Sequence, residues 1–138
     1  MVDEERFLAR LARLELDMAE LVKLSGLEVD QLKSEVGTRW AAERGLHVVI
    51  EGILDLGAHV LGSEFSVHGL TYRDTAEKMV EKGVVTVSSF PRIAAFRNIL
   101  VHEYVDLDVQ IIADLLAGSL DDLSTCADDL RRRAWEKP

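Results

Sequence analysis

The chain has 138 residues, of which 48% are hydrophobic and 30% charged, and its formal net charge is −9. This length supports one domain, residues 1–138, with a real core, and the composition excludes a disordered chain. The acidic balance excludes a broad electrostatic nucleic-acid binder, which needs clustered Lys and Arg, so any RNA contact has to be local.

Over residues 3–24, Phe7, Leu11, Leu14, Met18, Leu21 and Val22 recur at three- and four-residue steps, which predicts one buried helical stripe. Asp3, Glu4 and Glu5 open this helix, and Gly26 in "SGLEVD" stops it. A second helix is expected from about Leu32 or Gly37 to Leu61, with Val48, Ile53, Leu56 and Val60 inside and Gly62-Ser63 ending it. "FSVHGL" reads as a loop, and a third helix covers about Tyr72 to Lys82, with Thr71 as N-cap and Gly83 past its end. "VVTV" (84–87) is β-branched but has nothing to pair with, so it reads as a connector. Ser88 or Ser89 caps a fourth helix that carries Pro91 in its first turn and runs to about Glu103. Asp106 or Asp108 caps a last helix over about 108–134, with Ile111, Ile112, Leu115, Leu116, Leu120, Leu123, Ala127 and Leu130 as its apolar positions. The expected fold is therefore all-α, an up-and-down bundle of four to five helices.

No apolar run is free of charges for long, the N-terminus lacks a cationic-then-apolar leader, and the lone Cys126 allows no intrachain disulfide. A cytoplasmic protein that does not enter the membrane is expected.

The stretch "RNILVHEY" (97–104) places Arg, His and Tyr within eight residues. On a helix Ile93, Phe96 and Leu100 share a core stripe, Asn98 and His102 share another face, and Arg97, Val101 and Tyr104 follow a third. Arg97 and His102 lie about 140° apart around the axis and about 7.5 Å along it, so one helix does not aim both at one atom. Two copies packed about a two-fold axis can. A guanidinium matches phosphate oxygens and an imidazole moves protons near neutral pH, which together suffice to cleave RNA without a metal. Asn98 can orient the ring or bind phosphate, and Tyr104 can place the substrate or accept a modification. On spacing alone, however, such a pair is ordinarily a salt-bridging Arg and a half-buried, satisfied His.

His47, Glu51, Asp55 and His59 recur at four-residue steps, but successive steps drift by about 40°, so the four do not meet one ion. No metal site is expected. Asp55 reads as a buried polar anchor near the motif helix, His47 and Glu51 as exposed or interfacial, and Glu43-Arg44 as a surface or dimer-contact pair. His68 reads as solvated, Cys126 as core, Arg131 to Arg133 as a solvated cluster at a helix end, and Trp40 and Trp135 as undecided. There is no Gly-rich phosphate loop and no nucleophile elbow.

"FRNILVHEY" resembles the signature of HEPN-domain ribonucleases, closest to the HepT-like branch of toxins from two-gene toxin–antitoxin systems. "RWAAERGLHVVIEGILDLGAHVL" (39–61), "TYRDTAEKMVEKGVV" (71–85) and "FRNILVHEYVDLDVQIIADLL" (96–116) resemble that branch's successive helices, and the likeness covers roughly residues 6–130. The resemblance implies a HEPN-like all-α homodimer whose interfacial cleft holds the motif from both chains. It implies metal-independent endoribonuclease cleavage by Arg97 and His102, supported by Asn98, with no cofactor. It also implies a minimal nucleotidyltransferase antitoxin as partner, able to silence the toxin by attaching AMP to Tyr104. The alternatives are a non-catalytic module that docks such a partner and a metal-binding helical bundle.

Overall fold

The computed structural model of the chain describes residues 2–101 and 108–135, which form eight helices. The first, α1 (Val2–Val22), buries Phe7, Leu11, Leu14, Met18 and Leu21, as the spacing predicts. Val22 does not join them. It lies about 100° around the helix from Leu21, in the last turn, and is exposed. A short α2 (Val29–Ser34) follows, entered by a bond from the Glu28 N–H to the Gln31 side chain at 3.1 Å, and it buries Leu32.

The central helix is α3 (Val36–Phe65), separated from α2 at Glu35 and running four residues past the expected end. Its true stop is Ser66, in the left-handed region at φ 57°, with the Val67 N–H bonded back to the Leu61 carbonyl at 3.0 Å. Gly62 is instead a seat within the helix. A Cβ there would lie 2.9 Å from Cε1 of His68, the exposed loop histidine that folds back over it. By length and apolar content α3 is long enough to cross a membrane, which the sequence reading did not credit; half of its apolar stretch is buried by the rest of the bundle.

Residue pairs along α1 and α3 fix an antiparallel register. Phe7 and His59 rings meet at 5.2 Å, Leu14 packs over Gly52, and Leu21 packs over Gly45. A Cβ at Gly52 or Gly45 would stand 3.3 or 3.0 Å from the leucine Cδ1, so glycine lets the helices approach at seven-residue intervals. Each buried leucine contributes roughly 1.5–3 kcal/mol of apolar transfer.

Thr71 caps α4 (Tyr72–Glu81), accepting from the Asp74 N–H at 3.1 Å, and Gly83 at φ 72° follows it. Gly57 of α3 is the contact point for α4: a Cβ there would fall 2.2 Å from Met79 Sδ. Residues 84–87 are a connector, anchored where buried Asp129 accepts from the Thr86 N–H (2.7 Å) and hydroxyl (2.9 Å). The expected fourth helix is divided at Ala95 into α5 (Phe90–Ala94) and α6 (Phe96–Val101). Ser89 precedes α5, but its hydroxyl donates to Asp122 (3.2 Å) rather than accepting at the cap. Ile93 and Leu100 are buried and Phe96 half-buried, so the predicted stripe survives the break. Asp108 caps the last region, accepting from the Gln110 N–H at 2.9 Å; Asp106 lies outside the described residues. That region divides at Ser119 into α7 (Val109–Gly118) and α8 (Leu120–Trp135), whose apolar positions are buried except the half-buried Ile111. The eight helices replace the expected four or five because two long predicted helices each carry a break, and α2 stands apart from α3.

Candidate functional site

Three helices meet at one polar corner. Arg44, His47, Glu51 and Asp55 follow one another along α3 at steps of three and four, and so form a strip. Arg97 comes from the start of α6 and Tyr72 from the first turn of α4. The Arg97 Nη2 donates to Glu51 Oε1 at 3.1 Å and its Nη1 to the Asn98 side chain at 3.2 Å. Its Cζ sits 4.2 Å from the Tyr72 ring centroid, a cation–π contact. The Tyr72 hydroxyl donates to the same Glu51 oxygen at 3.2 Å and reaches Asp55 Oδ1 at 3.4 Å. On the other side His47 Nε2 lies 2.7 Å from Glu51 Oε2, near enough to pair though bent from good hydrogen-bond geometry. The Arg44 guanidinium stands 3.2 Å from His47 Nδ1, so the ring lies between a cation and the Glu51 carboxylate.

Burial raises the Glu51 pKa, but the Arg97 hydrogen bond, His47, the Tyr72 hydroxyl and the Arg97 charge outweigh it and hold this carboxyl below its ordinary value. Asp55 is shifted the other way, raised by burial and by the charge of Glu51. Burial and the two carboxylates raise the Tyr72 phenol, which keeps it a neutral donor. Beside the strip, the α1–α3 groove holds two neighbouring cavities of about 280 and 400 Å³. Glu51 and Asp55 line the first with Arg10 and Arg13; Arg44 lines the second with Arg13 and Lys23.

Against this geometry, the family model of the HepT-like ribonucleases matches residues 14–130. The chain belongs to the HepT-like ribonuclease family. No curated protein matches it. Among solved structures it shares its fold with a toxin–antitoxin crystallised with AMP-PNP (TM-score 0.76, 16% identity) and with the tri-AMPylated HEPN toxin of Shewanella oneidensis in complex with MNT antitoxin (0.76, 17%). A mutant MntA-HpeT toxin–antitoxin is a third (0.74, 17%). Each alignment covers 91% of this chain and 96% of the other. At these identities the likeness establishes the fold, a single all-helical HEPN bundle.

In this HepT-like chain the predicted Arg97 and Asn98 are neighbours in the polar corner, while His102 and Tyr104 lie outside the described residues. The sequence reading gave the anchoring role to Asp55. The carboxylate that meets Arg97 is Glu51, one turn earlier, and Asp55 is joined to the site by its hydrogen bond with Tyr72 and by the charges of Glu51 and Arg97. Tyr72 was missed altogether. A signal for Glu51 existed, because a carboxylate inside "VVIEGILDLG" requires a cationic or donor partner once packed. Glu43 is not a surface pair with Arg44: it is buried and pairs with Arg39 at 3.4 Å, since successive helix residues do not face each other. His59 meets the Phe7 ring at a tilt of 44°, and among the described residues no three His, Cys, Asp or Glu are placed to hold an ion. Cys126 is buried, its thiol pushed up to about 12 by burial and then by Asp129 and Asp122. Arg131 and Arg132 are exposed, as expected of a charge cluster at a helix end, and Arg133 is half-buried, but each has an acidic partner. Arg131 pairs with Glu15, Arg132 with Asp129, and Arg133 with Glu64 at 2.8 Å, which joins the α8 end to α1 and α3. Trp40 is exposed, and the Trp135 side chain is outside the described set.

Proposed function

We propose that this chain is the toxin of a toxin–antitoxin pair, a metal-independent endoribonuclease that acts as a cytoplasmic homodimer. The observation that carries the reading is the HepT-like ribonuclease match over residues 14–130, which spans Arg97. Arg97 offers five N–H donors, of which Glu51 and Asn98 occupy two and Nε–H is buried, leaving one hydrogen on each Nη for a phosphodiester. The ribose 2′-hydroxyl attacks the adjacent phosphorus, His102 moves the proton, the 5′-oxygen leaves, and Arg97 stabilises charge on the phosphoryl oxygens. Two copies of the motif, one from each protomer, line the cleft and offset the acidic net charge locally. The partner is a minimal nucleotidyltransferase antitoxin, a reading supported by the toxin–antitoxin complexes that share the fold. Attack of the Tyr104 hydroxyl on the α-phosphorus of ATP, with release of pyrophosphate, would add phosphate charge and bulk two residues from His102 and close the cleft.

A second reading has one observation in its favour: Glu51 neutralises Arg97, as in a structural ion pair of a non-catalytic docking module. Cleavage of an RNA oligonucleotide in EDTA separates the two. The proposal expects EDTA-resistant cleavage that falls about 10²–10⁴-fold in His102→Ala and Arg97→Ala. Wild-type protein inert toward RNA and harmless on induction without its antitoxin would leave the docking module. AMP mass on a Tyr104-containing peptide after co-expression with the antitoxin tests the silencing step; full inhibition with unmodified Tyr104 refutes it.

A further inference from the structure

Resting on the ribonuclease reading, we infer that Tyr72 is the positioning residue for Arg97, a shelf and clamp supplied by a third helix. The Arg97 Cζ lies over the Tyr72 ring, 4.2 Å from its centroid, while the hydroxyl donates at 3.2 Å to Glu51 Oε1, the oxygen that receives Arg97 Nη2 at 3.1 Å. Tyr72 therefore touches both the cation and the carboxylate that holds its edge. The second carboxylate within reach of the hydroxyl, Asp55 at 3.4 Å, ties the phenol to the next turn of α3. An arginine side chain has four freely turning bonds. Glu51 alone fixes one nitrogen and leaves the guanidinium plane free to swing about that bond. A ring against the cation limits that swing and fixes where the remaining Nη donors lie relative to α3, while Nε is buried with no hydrogen-bond partner among the described residues. Tyr72 is itself well placed to be rigid, because it is the first residue of α4, behind the Thr71 cap, and Gly57 lets α4 close on α3 within one turn of Asp55. The raised phenol pKa agrees with a hydroxyl that stays protonated between two carboxylates.

The role separates into two parts by substitution. Tyr72→Phe keeps the shelf and loses the clamp; Tyr72→Leu loses both. With a labelled RNA oligonucleotide, Tyr72→Leu is expected to lower kcat by about 10- to 100-fold with KM changed much less, and Tyr72→Phe to recover most of that loss. Melting curves on both variants guard against an effect of folding. A second readout, taken on variants that melting shows to be folded, needs no turnover: in wild-type protein the Arg97 guanidinium resonances should show a ring-current shift and slow rotation about the Cζ–Nε bond. Both features should vanish in Tyr72→Leu. Wild-type kcat in Tyr72→Leu, while Arg97→Ala is inactive, overturns the positioning role, as does an unshifted, freely rotating Arg97 guanidinium in the wild type. An Arg97→Ala protein that cleaves at the wild-type rate sinks the ribonuclease reading of Arg97, and Tyr72's role in catalysis falls with it. In that case a shifted Arg97 resonance identifies the contact as structural, so the two failures are distinct.

Discussion

The two faces of α3 contrast in how they bind their neighbours. Toward α1 the contact is apolar and regular, with leucines set over glycines every seven residues. Toward α4 and α6, beyond the buried Gly57–Met79 seat, it is polar and irregular, a chain of contacts from Arg44 through His47, Glu51 and Tyr72 to Arg97. Apolar packing needs only volume and period, which repeat along a helix. A polar corner needs each donor matched to one acceptor, and each partner comes from a different segment. The first kind of face supplies stability and tolerates no loss of volume. The second supplies little net stability but holds a charged group in one orientation, because exposed or half-exposed ion pairs are worth little while their geometry is specific.

The contrast can be broken from the apolar side first. Leu14→Ala empties a position that is 2% exposed, and should lower the unfolding free energy by about 2–5 kcal/mol in urea titration. A loss below 1 kcal/mol would mean that the α1–α3 seam is not close-packed. Gly57→Ala comes next, at about 1–3 kcal/mol, since the added methyl meets Met79 Sδ and Cε, the movable end of a flexible side chain, but also Cγ at 2.9 Å. It should also perturb the site, because it pushes away the helix that carries Tyr72. Gly26→Ala, with open space around it, is the matched control and should leave stability within a few tenths of a kcal/mol.

From the polar side the expected stability change is smaller and the functional one larger. Glu51→Gln should alter stability by less than about 1 kcal/mol yet lower cleavage about tenfold, as Arg97 loses its charged partner. Equal losses in both would make Glu51 an ordinary structural residue. The smallest effect is the pH dependence. The Glu51 carboxyl is lowered by folding, so its contribution is full above its ordinary value of 4.5 and is lost as pH falls through the depressed one. Asp55 is raised above 3.8, so its charge opposes folding at neutral pH, and that opposition is relieved as pH falls through the raised value. The two trends offset. Asp55→Asn removes the offset, so its melting temperature should fall more steeply than that of the wild type between neutral pH and about pH 4. Parallel curves would contradict the assigned directions.

The helical class, the α1 stripe, the Thr71 cap, the Asp108 cap and the 84–87 connector were all legible in the residues, because each depends on neighbours within about one turn. Gly62 misled because a glycine at a helix end and a glycine under a returning loop look alike until the loop is placed. The exposure of Arg131 and Arg132 was legible but the pairing of Arg131 and Arg133 was not, for the same reason: a cationic last turn suits the helix dipole, and nothing local says that Glu15 and Glu64 are opposite. At the site, Arg97 and Asn98 were visible through the motif. Tyr72, 25 residues earlier, was not, and Glu51, 46 residues earlier, announced only that it needs a partner, because a hydrogen-bond partner across helices leaves no periodic trace to say which.

Period, capping chemistry and the ordered series of family segments therefore determined by themselves that this is an all-α HepT-like chain with Arg97 as its marked cation. Only the packing of α3, α4 and α6 decided which carboxylate and which ring hold that cation. Helix formation is local, governed by 3.6-residue spacing and short-range hydrogen bonds, whereas the partners of a long charged side chain are chosen by where distant helices come to rest.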